Sequence, residues 1–190
     1  YSAYSTEMIT YLPRMIRDTA QGDYELLSWM LGATISPKIE HSIGMYFSVN
    51  CHEEIYATTP EDLAADYETY PYAKGFVEEV IFGSPETLFE VCEVWGAAPF
   101  DTLEGQPVES EIPTLILVGE YDPVTPPPYA RQVAEALSNV YAYEFPGQGH
   151  VVGLGQSPCA MEMVEDFLED PDVPPDDICM AEMGGPDFVR

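Results

Sequence analysis

Short apolar runs alternate with helical spacings of apolar residues along the second half of the chain, which is typical of an α/β fold. Residues 115–119 and 140–145 predict two buried strands, and residues 129–137 between them predict a helix. A further helix is expected over residues 159–168. Because strand, helix and strand follow one another directly, we expect two neighbouring parallel strands of one sheet.

The first half of the chain has a mainly helical pattern. Pro13 marks a kink or a restart in the first helix, and Asp23 can cap the second. One apolar run, residues 43–51, predicts a strand, with Glu53 and Glu54 just beyond its carboxyl end. Helices are predicted over residues 5–20, 24–31, 72–82 and 85–95, and from Thr59 onward, where a capping residue precedes Pro60.

The candidate chemistry lies where the two predicted parallel strands end. Asp122 follows the first strand and His150 follows the second. Open α/β sheets hold their sites at the carboxyl ends of their strands, so the two side chains are expected on adjacent loops at one sheet edge. Taken singly, Asp122 could be a turn residue and His150 a plain loop histidine. Together and in this order they indicate the second half of a Ser…Asp…His relay.

The first half of such a relay is missing from the chain. A nucleophile elbow has the form Gly-x-Ser-x-Gly, since the tight turn leaves no room for side chains beside the serine. No such pentapeptide occurs, and residues 155–159 come nearest but end in cysteine. We therefore expect the C-terminal portion of a larger enzyme, with the N-terminal half of the same enzyme as its partner. The 190 residues alone are expected to be inactive.

The charge of the chain excludes several classes of partner. Six basic residues stand against 34 acidic ones, for a formal net charge of −28. Such a field repels nucleic acid and anionic membranes, so we expect neither as a partner. A lysine-poor acidic surface fits a salt-rich setting, and it equally fits an ordinary acidic secreted enzyme. No apolar run approaches the ~18 residues of a membrane span.

The chain has four cysteines, an even number that suits an oxidising compartment and hence a secreted or extracytoplasmic protein. Three pairings are possible. We favour Cys51 with Cys92 and Cys159 with Cys179, because each pair then flanks one local excursion of the chain. Four buried free thiols in a cytosolic enzyme are the alternative. No cysteine has a histidine or second cysteine at metal-ligand spacing, so we expect no metal site.

Several of these motifs together resemble the tripeptidyl aminopeptidase-like α/β-hydrolases, secreted relatives of the proline iminopeptidases. The resemblance covers about residues 42–180 and rests on residues 48–54, 92–95, 112–114, 119–126 and 146–150, together with Cys159 and Cys179. It implies a partial α/β-hydrolase fold, with a helical cap or lid remnant over residues 1–41 and the C-terminal part of the catalytic domain over residues 42–190.

The resemblance also implies roles for individual residues. Asp122 becomes the relay acid and His150 the general base. Glu53 or Glu54 matches the region that holds the free amino terminus of a peptide substrate. No cofactor is implied.

Three other functions are compatible with the same sequence features. A carboxylesterase of the same fold would act on esters in place of peptides. A hydrolase-like protein without its nucleophile would only bind or scaffold. A dehalogenase or epoxide hydrolase would use an aspartate nucleophile on the same fold. The residue at the elbow, which is absent from this chain, distinguishes a serine hydrolase, whether aminopeptidase or esterase, from an enzyme with an aspartate nucleophile and from a protein with no nucleophile.

Overall fold

A computed structural model describes residues 4–34, 42–72, 74, 85–98, 101, 103–153 and 157–190. Its helices are α1 (Thr6–Ile9), α2 (Leu12–Ala20), α3 (Glu25–Thr34), α4 (Ile43–Asn50), α5 (Pro60–Thr69), α6 (Pro85–Trp95), α7 (Pro127–Ala136) and α8 (Pro158–Glu169). Its strands are β1 (Thr114–Gly119) and β2 (Val140–Phe145). A π-helical turn covers Cys51–Ile55, and a 3-10 helix covers Ile178–Glu182.

Two compact units make up the chain. One contains residues 1–36 and 107–190, and the other contains residues 37–106. This grouping differs from the predicted boundary after residue 41, and the assignment of a cap over residues 1–41 stays a prediction.

In the described part of the larger unit, the sheet consists of β1 and β2, paired in parallel from Thr114 opposite Val140 to Gly119 opposite Phe145. The crossover helix α7 packs against both strands, and α8 packs against β1. This strand–helix–strand order is the one predicted from the sequence. Because the strands are in register, both end at the same edge of the sheet, and the loops that follow them are neighbours.

A small apolar core holds the second of these loops. Phe145, Val152, Ala160 and Met163 are almost fully buried in one cluster with Cys159. Phe145 ends β2 and Val152 follows His150 by two residues. The loop of residues 146–151, called here the histidine loop, is therefore anchored in the core at both ends, which restricts where the imidazole can lie.

The predicted strand at residues 43–51 is wrong, because this segment forms α4 and enters the π-helical turn. Ser42 caps α4, since its hydroxyl accepts a hydrogen bond from the Met45 amide at 3.2 Å. Phe47 packs on Trp95 of α6, with ring centroids 5.5 Å apart, and the Trp95 indole donates to the Ser48 hydroxyl at 3.2 Å. A short apolar run is compatible with strand or helix, and here the cap and the packing against α6 decide for helix.

The remaining helical predictions agree with the structure where it describes them. The first predicted helix restarts near Pro13 as α1 and α2, and Thr59 forms a reciprocal capping box with Asp62 at the start of α5. The helix predicted at residues 72–82 lies largely outside the described residues.

Candidate functional site

The aspartate of the candidate site is delivered by the end of β1. The strand stops at Gly119, and the chain turns so that the Asp122 amide donates to the Gly119 carbonyl at 3.1 Å. The Tyr121 amide donates to the Gln148 carbonyl at 2.9 Å, which ties this turn to the loop after β2. Two backbone segments far apart in sequence are thus joined next to the predicted acid and histidine.

Asp122 and His150 form a direct hydrogen bond. His150 Nδ1 lies 2.9 Å from Asp122 Oδ1 and 2.8 Å from Asp122 Oδ2. A carboxylate is only an acceptor, so the shared proton belongs to Nδ1, and Nε2 of the neutral ring carries the free lone pair. This is the tautomer that a general base acting through Nε2 requires.

The Asp122 carboxylate is held in place by its own loop. Oδ1 accepts from the Val124 amide at 2.8 Å and from the Thr125 amide at 2.9 Å, and Oδ2 accepts from the Thr125 hydroxyl at 2.8 Å. Only 3% of the Asp122 side chain is exposed, compared with 18% of the His150 side chain. The Asp122 carboxylate is therefore oriented by its own loop, independently of its bond to His150. The His150 side chain keeps access to solvent.

These contacts determine the charge of the acid. Burial alone raises the pKa of Asp122, but the hydrogen bonds from His150, the two backbone amides and the Thr125 hydroxyl outweigh it. The net effect holds the pKa of Asp122 below its ordinary value of 3.8. Asp122 is consequently an anion at neutral pH, able to stabilise an imidazolium beside it.

Glycines permit the close approach of the two loops. A β-carbon on Gly119 would lie 2.6 Å from the Gln148 carbonyl oxygen and would also overlap with the Gly149 carbonyl oxygen. Gly147 has a φ of +71°, a conformation that glycine adopts without steric cost, and its amide donates to Glu120 Oε2 at 2.8 Å. The loop geometry therefore depends on small residues at both strand ends.

Two further residues support the Asp122–His150 pair, and the sequence predicted no role for either of them. Thr125 donates two hydrogen bonds to Asp122, one from its amide and one from its hydroxyl. The Glu120 carboxylate accepts a hydrogen bond from the Gly147 amide and so fixes the start of the loop after β2. An acid followed three residues later by threonine is the local signal that could have indicated the first contact.

The two glutamates that the resemblance singled out lie in the smaller unit. Glu53 and Glu54 are exposed in the π-helical turn, not at the end of a strand. Their neighbour His52 contacts the Ala98 carbonyl through Nδ1 at 2.7 Å and Glu104 Oε1 through Nε2 at 3.0 Å. A role for either glutamate in holding a substrate stays a prediction.

All four cysteines form disulfides in the favoured pairing. Cys51 is bonded to Cys92 with Cα atoms 5.2 Å apart, and Cys159 is bonded to Cys179 with Cα atoms 5.7 Å apart. The first bond joins the π-helical turn to α6. The second joins α8 to the 3-10 helix, whose Cys179 and Met180 pack against the core beneath the histidine loop.

Two further searches of the described residues concern metals and membranes. They contain no group of three or more His, Cys, Asp or Glu side chains arranged to hold a metal ion. None of the helices in the described ranges combines the length and the apolar character of a membrane-spanning segment.

Comparison with known proteins identifies the family. A sequence model described as TAP-like protein, an α/β-hydrolase family, matches residues 81–179, just over half of the chain. No curated protein matches the sequence, and no solved structure matches it either. The matched region contains β1, β2, Asp122 and His150. The chain therefore belongs to the TAP-like, or tripeptidyl aminopeptidase-like, family of α/β-hydrolases.

Proposed function

We propose that this chain supplies the acid and the general base of a secreted serine aminopeptidase that acts on the N-termini of peptides. The observation that carries the proposal is the hydrogen bond between the buried Asp122 carboxylate and His150 Nδ1 at 2.8 Å. Membership of the TAP-like family supports hydrolysis as the reaction. Two disulfides are compatible with an oxidising compartment.

In the proposed mechanism, His150 Nε2 takes the proton from a serine hydroxyl as that oxygen attacks the carbonyl carbon of the substrate. The imidazolium then returns the proton to the leaving amine, and water repeats the cycle on the acyl-enzyme. Asp122 keeps the proton on Nδ1 and stabilises the positive charge. The serine and the oxyanion donors come from residues beyond these 190, since the sequence lacks Gly-x-Ser-x-Gly.

The proposed substrate class rests on Glu53 and Glu54. Both carboxylates are exposed, and either can bind the ammonium group of a free peptide N-terminus. An esterase of the same fold would have no use for such a group. Selectivity for free over blocked amino termini therefore separates the two activities.

The test uses the longest natural polypeptide that contains this chain. It is assayed on aminoacyl and tripeptidyl anilides, on the same anilides with an acetylated N-terminus, and on simple acyl esters. Turnover of the free-amine anilides alone supports the aminopeptidase, and turnover of esters alone contradicts it. By analogy with serine proteases, Asp122→Asn should lower turnover about 10⁴-fold.

Two controls sharpen this result. Asp172→Asn removes an exposed carboxyl outside the site and should leave turnover unchanged. His150→Ala should abolish nearly all turnover, and an active His150→Ala variant would remove the histidine from the mechanism. The 190-residue chain assayed by itself should be inactive, so turnover from it would reveal an unrecognised nucleophile.

A further inference from the structure

The segment that contains Tyr4 and Thr6 lies against the histidine loop. The Tyr4 carbonyl accepts a hydrogen bond from the backbone amide of His150 at 3.0 Å, and the Thr6 hydroxyl accepts one from the amide of Gly149 at 2.9 Å. Thr6 also donates to Gln148 Oε1 at 3.3 Å. Three consecutive residues of the loop are thus held by a segment more than 140 residues away in the sequence.

These contacts act on a loop that has an unfavourable backbone. Val151, directly after the histidine, has a φ of +63°, which is a strained conformation for a β-branched residue. Such strain persists only where surrounding contacts impose it. The amides of Gly149 and His150 lie outside regular secondary structure. They donate hydrogen bonds to the Thr6 hydroxyl and the Tyr4 carbonyl, respectively. The segment therefore provides part of the restraint that keeps the loop in this shape.

The side chain of Tyr4 restrains the imidazole itself. Its ring centroid lies 4.6 Å from that of His150, with an interplanar angle of 56°. This separation is typical of packed aromatic pairs. Asp122 bonds only one edge of the imidazole, and its two oxygens are almost equally distant from Nδ1. The bond to Asp122 alone leaves the imidazole able to swing about that edge, and a packed ring opposes this motion.

We propose that Tyr4 and Thr6 are positioning residues that fix the direction in which His150 Nε2 points. The inference rests on the proposed role of His150 as general base. Tyr4 acts through the face of its ring, so phenylalanine is an adequate replacement and alanine is not. Thr6 acts through its hydroxyl, so serine is adequate and valine, which has the same shape, is not.

The test measures steady-state kinetics of the natural polypeptide that contains this chain. Tyr4→Ala should lower kcat by up to about 10²-fold, since small misplacements of a catalytic group have effects of this size. KM should change little. Tyr4→Phe should restore kcat, and Tyr24→Ala, which removes an exposed tyrosine outside the site, should match the wild type. Wild-type kcat in Tyr4→Ala, or equal losses in Tyr4→Phe and Tyr4→Ala, would overturn the proposal.

A second pair of variants covers the case in which Tyr4→Ala fails to fold. Thr6→Val should lower kcat while Thr6→Ser retains it. Equal kcat values for Thr6→Val and Thr6→Ser would contradict the role of the hydroxyl.

A spectroscopic readout separates this proposal from the proposed function. Nuclear magnetic resonance of the protein with labelled histidine detects the Nδ1 proton of His150 in its bond to Asp122. That signal should be sharp in the wild type and in Tyr4→Phe, and should broaden or vanish in Tyr4→Ala. An unchanged signal in Tyr4→Ala contradicts positioning by Tyr4. The signal is informative even if His150→Ala retains full turnover, an outcome that would refute only the proposed function.

Discussion

Gly119 at the end of β1 packs directly against the carbonyl oxygen of Gly149, the residue before His150. No β-carbon fits between them, so the strand that leads to Asp122 and the loop that contains His150 are in backbone contact. This contact brings the side chains of Asp122 and His150 within hydrogen-bond reach, although the two residues are 28 positions apart in the sequence.

Gly119→Ala should therefore push apart the backbone segments that hold Asp122 and His150. The added methyl group would overlap with the carbonyl oxygens of Gln148 and Gly149. Backbone cannot move aside easily, so we expect a loss of about 3 kcal/mol in the free energy of unfolding. Gly32→Ala is the matched control, because a β-carbon there meets no atom within 4 Å and lies inside α3. Urea denaturation of both variants checks the difference, and equal stabilities would show that the two loops can separate.

Thr125→Val should weaken the anchoring of the acid. It removes the hydroxyl that donates to Asp122 Oδ2 at 2.8 Å and leaves the shape of the side chain nearly unchanged. A hydrogen bond to a charged group contributes about 1.5 kcal/mol, and we expect a loss of that size at pH 7. Thr125→Ser keeps a hydroxyl at this position and should therefore retain most of the wild-type stability.

The loss in Thr125→Val should also depend on pH. The pKa of Asp122 is below its ordinary value of 3.8, so its interactions stabilise the folded state above that pH. Their contribution is lost as the pH falls through the lower folded pKa. The stability difference between Thr125→Val and the wild type should accordingly shrink in acid. A difference that stays constant from pH 7 into strong acid would contradict this account.

The stability that the contacts of His52 contribute should depend on pH in the opposite direction. The Ala98 carbonyl and then the Glu104 carboxylate raise the pKa of His52 above its ordinary value of 6.5, because both accept from the protonated ring. The stabilisation is complete below pH 6.5 and is lost as the pH rises through the folded pKa. His52→Ala should therefore destabilise the protein more at pH 5.5 than at pH 8.5. Equal losses at the two pH values would show that the imidazolium is not required.

Removing either disulfide should lower stability according to the loop that it closes. The sequence separations are 41 residues for Cys51–Cys92 and 20 residues for Cys159–Cys179. Chain-entropy estimates give losses of about 3.9 and about 3.3 kcal/mol, respectively. Double alanine variants of each pair, compared by denaturant unfolding, check these values. Unfolding midpoints equal to that of the wild type would mean that the bonds do not constrain the unfolded chain.

The net charge of −28 should make stability depend on salt. Raising the ionic strength from about 0.01 to about 0.15 M shortens the Debye length from about 30 to about 8 Å, which screens repulsion among the carboxylates. We expect the melting temperature to rise with added sodium chloride. The same series with uncharged sucrose at matched osmolality separates screening from solute exclusion. A melting temperature that is independent of salt, or that falls, would contradict dominant self-repulsion.

The sequence by itself determined the strand–helix–strand segment, because each of its elements has a strong local pattern. Both strands of the sheet and the helix between them were predicted, because short apolar runs separated by a helical pattern have few other solutions. The order of Asp122 and His150 at the ends of those strands then predicted their contact. Local excursions of the chain also indicated the cysteine pairing that the structure shows.

Tertiary structure alone decided the rest. Residues 43–51 were predicted as a strand, and packing against α6 together with the Ser42 cap makes them helical. The contact between Tyr4 and His150 has no sequence signature, because it joins residues far apart through a backbone carbonyl and a ring face. Periodicity reports which face of an element is apolar, and it does not report which distant segment covers that face. The placement of the imidazole is set by such long-range contacts, so only the folded chain reveals it.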